Sequence, residues 1–204
     1  MKGLFFNEWK SSYVPEILEF VYDNDRLQSF FLGKSDLTIV DVGAGIGVLT
    51  NYLSQFGKVY AFEPCKKTFK CLTKMVKFNN LDVVAEQVAI SDENGEGKLY
   101  HSDNSTANSL LEVVSNGTSE NVRYKTLGEA LGTLKHVDFL WLDTAGKEFD
   151  ILGSDNFDEV SKKIDVIMGE ISNWNGRNPG QIKQSLENRG YKVKMEEGIF
   201  YGEK

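Results

Sequence analysis

The stretch that decides the fold is Ile39-Val40-Asp41-Val42-Gly43-Ala44-Gly45-Ile46-Gly47, an apolar β-branched run that leads into three glycines at every second position. Apolar residues then recur at helical spacing over 48–56. Glycines let the backbone turn sharply and approach a ligand closely, and the helix that follows directs unpaired N–H groups towards it. The unit predicts a site for a nucleotide-type cofactor. Asp41 at the strand end can accept hydrogen bonds from the loop or from a cationic amino group.

A second acid supports this interpretation. Glu63 follows the next apolar run, sixteen residues after Gly47, where a carboxylate can accept both hydroxyls of a ribose. Strand, glycine loop, helix, strand and acid in this order form a more specific pattern than the loop alone. A nicotinamide dinucleotide normally requires G-x-G-x-x-G, whereas here the third glycine comes one position early. The spacing therefore favours S-adenosylmethionine, which has no phosphate.

Length and composition narrow the class of protein. A chain of 204 residues with 41% apolar and 26% charged residues is typical of one soluble globular domain. Its apolar runs fall short of the roughly 20 residues that span a bilayer, and its start lacks the apolar core of a secretory signal, so we expect a cytoplasmic protein. The net charge of −7 argues against a nucleic-acid partner.

The order of predicted elements indicates an α/β protein with helices packed on the faces of a sheet. A domain over 37–204 follows a helical extension over 1–36, where apolar residues of 14–21 have helical spacing. The chain closes with a predicted hairpin. The predicted strands cover 37–42, 59–62, 86–90, 98–100, 122–125, 137–142, 165–169, 191–195 and 199–201.

Asp41 to Gly47 resembles the first motif of class I S-adenosylmethionine-dependent methyltransferases, and the chain is most similar to the FkbM family. Later stretches that resemble the successive motifs of that family are 62–64, 88–92, 105–111, 142–146 and 149–152. The resemblance implies a Rossmann-like, seven-stranded sheet with helices on both faces and a reversed C-terminal hairpin.

By position, the resemblance implies that the glycines surround the methionine and ribose, that Glu63 holds the ribose and that Ala89 and Ile90 line the adenine. Asp143 ends a buried strand at the carboxyl edge, where open α/β sheets bind ligands. The residues expected at the cofactor are Asp41, Gly43, Ala44, Gly45, Gly47, Glu63, Pro64, Ala89, Ile90 and Asp143.

One departure from the family concerns catalysis. The family usually reads Lys-Ile-Asp-Val-Glu-Gly where this chain has Trp141-Leu142-Asp143-Thr144-Ala145-Gly146, so alanine replaces an acid. Asp143 and Glu148 are the candidate catalytic residues, and Glu148 can substitute in part for the missing acid or be a solvated first-turn residue. Glu170 and His136 are further candidate bases. No ligand spacing indicates a metal site.

The acceptor is less defined. The resemblance implies O-methylation, often of sugars or polyketide-type metabolites, and polar residues in 104–108 and 172–175 can shape a pocket for such a small molecule. The oligomeric state is not indicated. Two rival functions stay open, namely a cofactor-binding protein without turnover, which the alanine at 145 suggests, and a nicotinamide oxidoreductase.

Overall fold

The computed structural model of the protein describes residues 13–103, 108–112, 115–172 and 176–204. The strands in chain order are β1 (Leu37–Val42), β2 (Gly57–Phe62), β3 (Val83–Glu86), β4 (Ala89–Ser91), β5 (Gly95–Tyr100), β6 (Ser119–Thr126), β7 (Val137–Leu142), β8 (Ile164–Glu170), β9 (Lys192–Glu196) and β10 (Ile199–Glu203). The helices are α1 (Tyr13–Asp23), α2 (Asp25–Phe31), α3 (Val48–Leu53), α4 (Lys66–Asn79), α5 (Leu127–Leu131), α6 (Glu148–Gly153), α7 (Asn156–Ser161) and α8 (Gly180–Glu187).

Seven strands form the main sheet in the order β3-β2-β1-β7-β8-β10-β9. In this sheet the first five strands, β3, β2, β1, β7 and β8, are parallel. The strand β10 pairs antiparallel with both β8 and β9. The chain order reverses between β1 and β7, and such a switch point opens a crevice at the carboxyl ends of the strands. The predicted seven-stranded α/β fold and its reversed C-terminal hairpin are confirmed.

Side chains alternate between two cores, one on each face of this sheet. Val40 and Leu140 belong to the cluster that α5, α6, α7 and α8 cover, whereas Ile39 and Phe139 belong to the cluster that α1, α2, α3 and α4 cover. Strands buried on both faces read as continuous apolar runs, which is why β1 and β7 are recognisable in the sequence. The predicted helices on both faces are therefore confirmed.

A second, smaller sheet has the strand order β4-β6-β5. The sequence placed the third strand of the main sheet at 86–90, and this was wrong. Glu86 ends β3, which pairs with β2, whereas Ala89 and Ile90 lie in β4, which pairs with β6. Apolar residues lie on both sides of Glu86 and Gln87, so periodicity alone does not mark where the chain leaves one sheet for the other.

Helices precede β1, and a hairpin closes the described part of the chain. The helices of residues 13–31 bury Val21, Leu27 and Phe31 against the sheet. The terminal hairpin turns through Glu197 and Gly198, whose φ angles are 49° and 81°. Two-residue hairpin turns of this kind need positive φ at both positions. Among the described residues, no helix is long and apolar enough to cross a bilayer.

Candidate active site

The glycine loop connects β1 to α3 at the carboxyl edge of the sheet. The N–H groups of Gly43 and Ala44 donate to the carbonyl oxygen of Phe62 over 2.9 and 3.0 Å. Gly43 has a φ of +83°, and a Cβ there would lie 1.7 Å from the carbonyl oxygen of Asp143. Only glycine fits at this position, because the loops that follow β1 and β7 touch at its α-carbon.

The third glycine of the motif has a packing role. A Cβ at Gly47, where φ is +92°, would lie 2.4 Å from Cε of Met75 and 2.7 Å from Cδ1 of Leu72. Both of these side chains belong to α4, so the glycine lets that helix pack closely. The preceding Ala44 is buried in the same core cluster. Gly47 and Ala44 therefore both contact the protein interior.

Glu63 follows β2 and lies directly beside the glycine loop. Its Oε2 accepts from the N–H of Gly45 at 2.8 Å, and its Oε1 accepts from the N–H of Cys65 at 2.9 Å and the hydroxyl of Thr68 at 2.7 Å. The carboxylate thus joins the loop to the start of α4. Burial raises the pKa of Glu63, and the three donors oppose that rise. A carboxylate has about four lone-pair sites, so these donors leave space for another at Oε2.

Asp41 lies behind the loop, within the interior. Its Oδ2 accepts from the hydroxyl of Thr50 at 2.5 Å, and its buried Oδ1 has no hydrogen-bond partner among the described residues. Burial, with a further contribution from the charge of Glu63, raises the pKa of Asp41 to about 7. An unpartnered buried carboxylate oxygen is costly unless water or a cationic group satisfies it.

Asp143 follows β7 and lies opposite the glycine loop. Its N–H donates to the carbonyl oxygen of Val42 at 3.0 Å. Burial, together with the negative charges of Glu170 and Glu148, raises the pKa of Asp143 well above its usual range. Ala145 adopts a left-handed conformation with φ of 51°. Its carbonyl oxygen accepts from the buried hydroxyl of Ser109 at 2.6 Å.

Glu148 is neither solvated nor part of the pocket. The residue is fully buried. Its carboxylate accepts from the N–H and hydroxyl of Thr144 at 2.7 and 2.8 Å and from the N–H of Gly146 at 3.0 Å. It therefore holds the loop that carries Asp143 and Ala145. The alternative of a solvated first-turn side chain was therefore wrong, because the loop folds back over the start of α6.

A single pocket unites most of the predicted cofactor residues. Of these it brings together Gly43, Gly45, Glu63, Pro64, Ala89, Ile90 and Asp143, and its lining omits Asp41, Ala44, Gly47 and Glu148. The sequence missed Thr68, Leu99, Ser109 and Leu110 in the lining, whereas Asn108 belongs to a stretch predicted to shape the acceptor pocket. Leu99 lies in the small sheet, and nothing in its local pattern indicates that this sheet closes one side of a pocket.

The remaining candidates divide between the two edges of the sheet. Glu170 ends β8, and burial raises its pKa. His136 contacts Asp138 and Asp165 at 3.3 Å, at the amino edge where β7 and β8 begin, so it lies at the opposite edge from Asp143. The predicted acceptor stretches 104–108 and 172–175 fall largely outside the described residues, since only Asn108 and residue 172 belong to them.

The match to known families agrees with this geometry. Residues 41–193 match the model of the methyltransferase FkbM domain. The chain belongs to this family. No curated protein matches the sequence.

Solved structures extend the match to the fold. The chain is similar to a precorrin-6y C5,15-methyltransferase from Geobacter metallireducens GS-15, at 14% identity over 99% of this chain and 89% of that one, with a TM-score of 0.53. A SAM-dependent methyltransferase from Aquifex aeolicus is 17% identical over 95% of this chain and 97% of that one, with a TM-score of 0.50. Aeropyrum pernix fibrillarin in complex with natively bound S-adenosyl-L-methionine is 12% identical over 83% of this chain and 67% of that one, with a TM-score of 0.51. The protein is an S-adenosylmethionine-dependent methyltransferase by family and fold, and S-adenosylmethionine is its cofactor.

Proposed function

We propose that the protein transfers the methyl group of S-adenosylmethionine to a hydroxyl group of a small molecule, such as a sugar or another hydroxylated metabolite. The observation that carries the proposal is the pocket where Gly43, Gly45, Glu63 and Asp143 meet. Such a pocket can fix the donor in one orientation, with an acid beside the expected place of the acceptor. Alignment is the main requirement, because the sulfonium carbon is already activated.

The pocket has groups that suit each part of the cofactor. Apolar Ile90 and Leu99 would face the adenine, and the open position on Oε2 of Glu63 would receive a ribose hydroxyl. The methionine part would lie between Gly43 and Asp143. The unpartnered Oδ1 of Asp41 offers a negative charge behind the loop for the ammonium group, directly or through water.

We propose that Asp143 removes the proton of the acceptor hydroxyl. Its raised pKa makes it a stronger base than an ordinary carboxylate, since a catalytic base works best with a pKa near the operating pH. Glu148 would act as a positioning residue, because its carboxylate holds Thr144 and Gly146. Proton transfer and methyl transfer then balance: the acceptor oxygen forms a bond to carbon, the carbon–sulfur bond breaks, and the proton stays on Asp143.

The first experiment measures binding and turnover separately. Calorimetry with S-adenosylmethionine and with NAD identifies the cofactor, and transfer of labelled methyl to a panel of sugars and other hydroxylated metabolites identifies the acceptor class. Binding of S-adenosylmethionine with transfer to an oxygen supports the proposal. Tight NAD binding without S-adenosylmethionine binding would favour an oxidoreductase.

A substitution tests the base. Asp143→Asn should lower kcat by about 10²- to 10⁴-fold, the usual contribution of a general base, and abolish the rise of kcat with pH. Asp138→Asn is the control, because Asp138 lies on the same strand at its other end and hydrogen-bonds Thr38. A kcat for Asp143→Asn within about threefold of the wild type would exclude Asp143 as the base.

A second candidate function rests on Ala145, which lines the pocket with a methyl group where the family usually has an acid. In that case the protein binds the cofactor and does not turn over. Binding of S-adenosylmethionine without transfer to any member of the panel would favour this function. Ala145→Glu would then be expected to restore transfer, whereas in an active wild-type enzyme it would crowd the pocket.

A further inference from the structure

We propose that Cys65, His101 and Glu120 form a binding site for a divalent transition metal, with Zn²⁺ as the best match. One ligand atom from each residue, a sulfur, an imidazole nitrogen and a carboxylate oxygen, lies within 4.8 Å of the other two. The three residues are 36 and 19 positions apart in the chain, so no local spacing indicates a site. The fold alone brings them together.

Each ligand stands on an ordered element. Cys65 immediately precedes α4, and its N–H is bound by Glu63. His101 follows β5, where its N–H donates to the carbonyl oxygen of Thr118 at 3.0 Å. Glu120 lies within β6, opposite Leu99 of β5. Ligands held on a helix start and two paired strands need little rearrangement to bind a metal.

The donor set selects the class of metal. Thiolate, imidazole and carboxylate together are characteristic of Zn²⁺, and three protein ligands leave a fourth position for water or another ligand. Thiolate and carboxylate supply two negative charges, which the metal neutralises. Nearby Lys66, Lys67 and Lys70 would therefore face a neutral centre.

The exposure of the cluster suits a site that metal can reach. Cys65 is buried, whereas the side chains of His101 and Glu120 are 27% and 25% exposed. The three line a cleft that shares Thr68 and Asn108 with the cofactor pocket. A bound metal would thus tie His101, directly after β5, to the start of α4.

A simpler arrangement of the same residues is an ion pair at a helix start. Nε2 of His101 lies 3.8 Å from Oε1 of Glu120, and the same oxygen accepts from the N–H of Lys66 at 3.2 Å. In this arrangement the sulfur of Cys65 packs with Leu99 and Val122 in a small apolar cluster and binds no ion. A measurement that detects a bond between metal and sulfur therefore separates the two.

The test is titration of the chelator-treated protein with Co²⁺, followed by displacement with Zn²⁺. We expect one Co²⁺ per chain, with the near-ultraviolet charge-transfer band of a cobalt thiolate and the visible bands of tetrahedral coordination. Cys65→Ser should abolish the charge-transfer band. His101→Ala and Glu120→Gln should each weaken Zn²⁺ binding more than about tenfold, because even residues that only orient metal ligands are worth about 10- to 100-fold.

Matched controls exist for the cysteine and the histidine. Cys71→Ser changes the other cysteine of the chain, and His136→Ala removes a second cluster of possible ligands, formed with Asp138 and Asp165, that has no sulfur. Both variants should keep the band. The proposal is overturned if the band is missing, if it survives Cys65→Ser, or if only Cys71→Ser removes it. Circular dichroism checks the fold of each variant, and His101→Ala tests the site again if Cys65→Ser does not fold. Because the readout needs no cofactor or acceptor, it is independent of methyl transfer.

Discussion

At the scale of single residues, Glu63 combines a predicted role in cofactor binding with a structural role in holding the pocket together. The sequence predicts an acid after β2 that holds a ribose, and the structure places that acid beside the glycine loop. Its three hydrogen bonds to Gly45, Cys65 and Thr68 also make it part of the framework of the pocket. A carboxylate that already binds the loop can present its remaining lone pair in a fixed direction.

Replacing this carboxylate should affect binding and stability together. We expect Glu63→Ala to weaken S-adenosylmethionine binding by more than about tenfold and to lower the free energy of unfolding by at least about 1.5 kcal/mol, since hydrogen bonds to a charged group are worth about 1.5–3 kcal/mol each. Calorimetric titration and chemical denaturation give the two values.

Glu86→Ala is the matched control, because Glu86 ends the neighbouring strand, pairs with Lys125 at 2.8 Å and is 35% exposed. It should change both values little, as exposed ion pairs contribute at most about 1 kcal/mol. Unchanged cofactor affinity in Glu63→Ala would refute the ribose assignment.

At the scale of elements, the sequence predicts best those parts whose pattern is set locally. β1 and β7 are continuous apolar runs because the sheet is covered on both faces, and the terminal hairpin is marked by its turn. The small sheet is harder to predict, because β4 begins only three residues after β3 ends and yet pairs with a distant strand. Ala89 lies opposite Tyr124, which is 35 positions later in the chain.

The site, too, has features that the local sequence predicts and features that it does not. The order of loop and acid predicts residues that the structure brings together in one pocket. The interior contacts of Gly47, the burial of Glu148 and the grouping of Cys65 with His101 instead arise from pairing across the chain. Local patterns carry no information on such contacts. Sequence therefore indicates where the chemistry lies better than it indicates which side chain performs it.

The helices before β1 allow a prediction at this scale. Phe31 of α2 is 1% exposed, and its ring lies 4.5 Å from that of Phe56 and 5.0 Å from that of Phe139, measured between centroids. We expect Phe31→Ala to lower the free energy of unfolding by about 3–5 kcal/mol, as is usual for a buried phenylalanine. Chemical denaturation measures the change.

The neighbouring Leu32 is 84% exposed and provides the control. Leu32→Ala should change the free energy of unfolding by no more than about 0.5 kcal/mol. Equally small effects of the two substitutions would show that the Phe31 side chain does not stabilise the core of the sheet.

At the scale of the whole molecule, acidic side chains collect at the carboxyl edge of the sheet. Burial raises the pKa of Asp41, Glu63, Asp143, Glu148 and Glu170, and the negative charges around Asp143 add to the effect. Removal of their protons in the folded state therefore costs free energy. A ligand with a net positive charge relieves this cost, and S-adenosylmethionine carries a sulfonium and an ammonium group against one carboxylate.

The direction of the pH effect follows from these raised pKa values. A carboxyl group whose folded pKa exceeds its unfolded value stabilises the fold fully below the unfolded value, and this contribution is lost as the pH rises through the folded value. For Asp41 the window runs from its ordinary 3.8 to about 7. The protein without cofactor should therefore lose thermal stability as the pH rises through this window, apart from effects of groups elsewhere.

Binding of S-adenosylmethionine should oppose that loss, because the ionised acids attract the cation. We expect the increase in melting temperature at saturating cofactor to grow as the pH rises through the window set by Asp41. Asp41→Asn should reduce both slopes, since an amide does not titrate there, whereas Asp138→Asn at the opposite edge should leave them unchanged. Scanning calorimetry over a pH series, with and without cofactor, measures both slopes for each variant. A cofactor-induced increase that stays constant with pH would mean that these acids are not charged partners of the ligand.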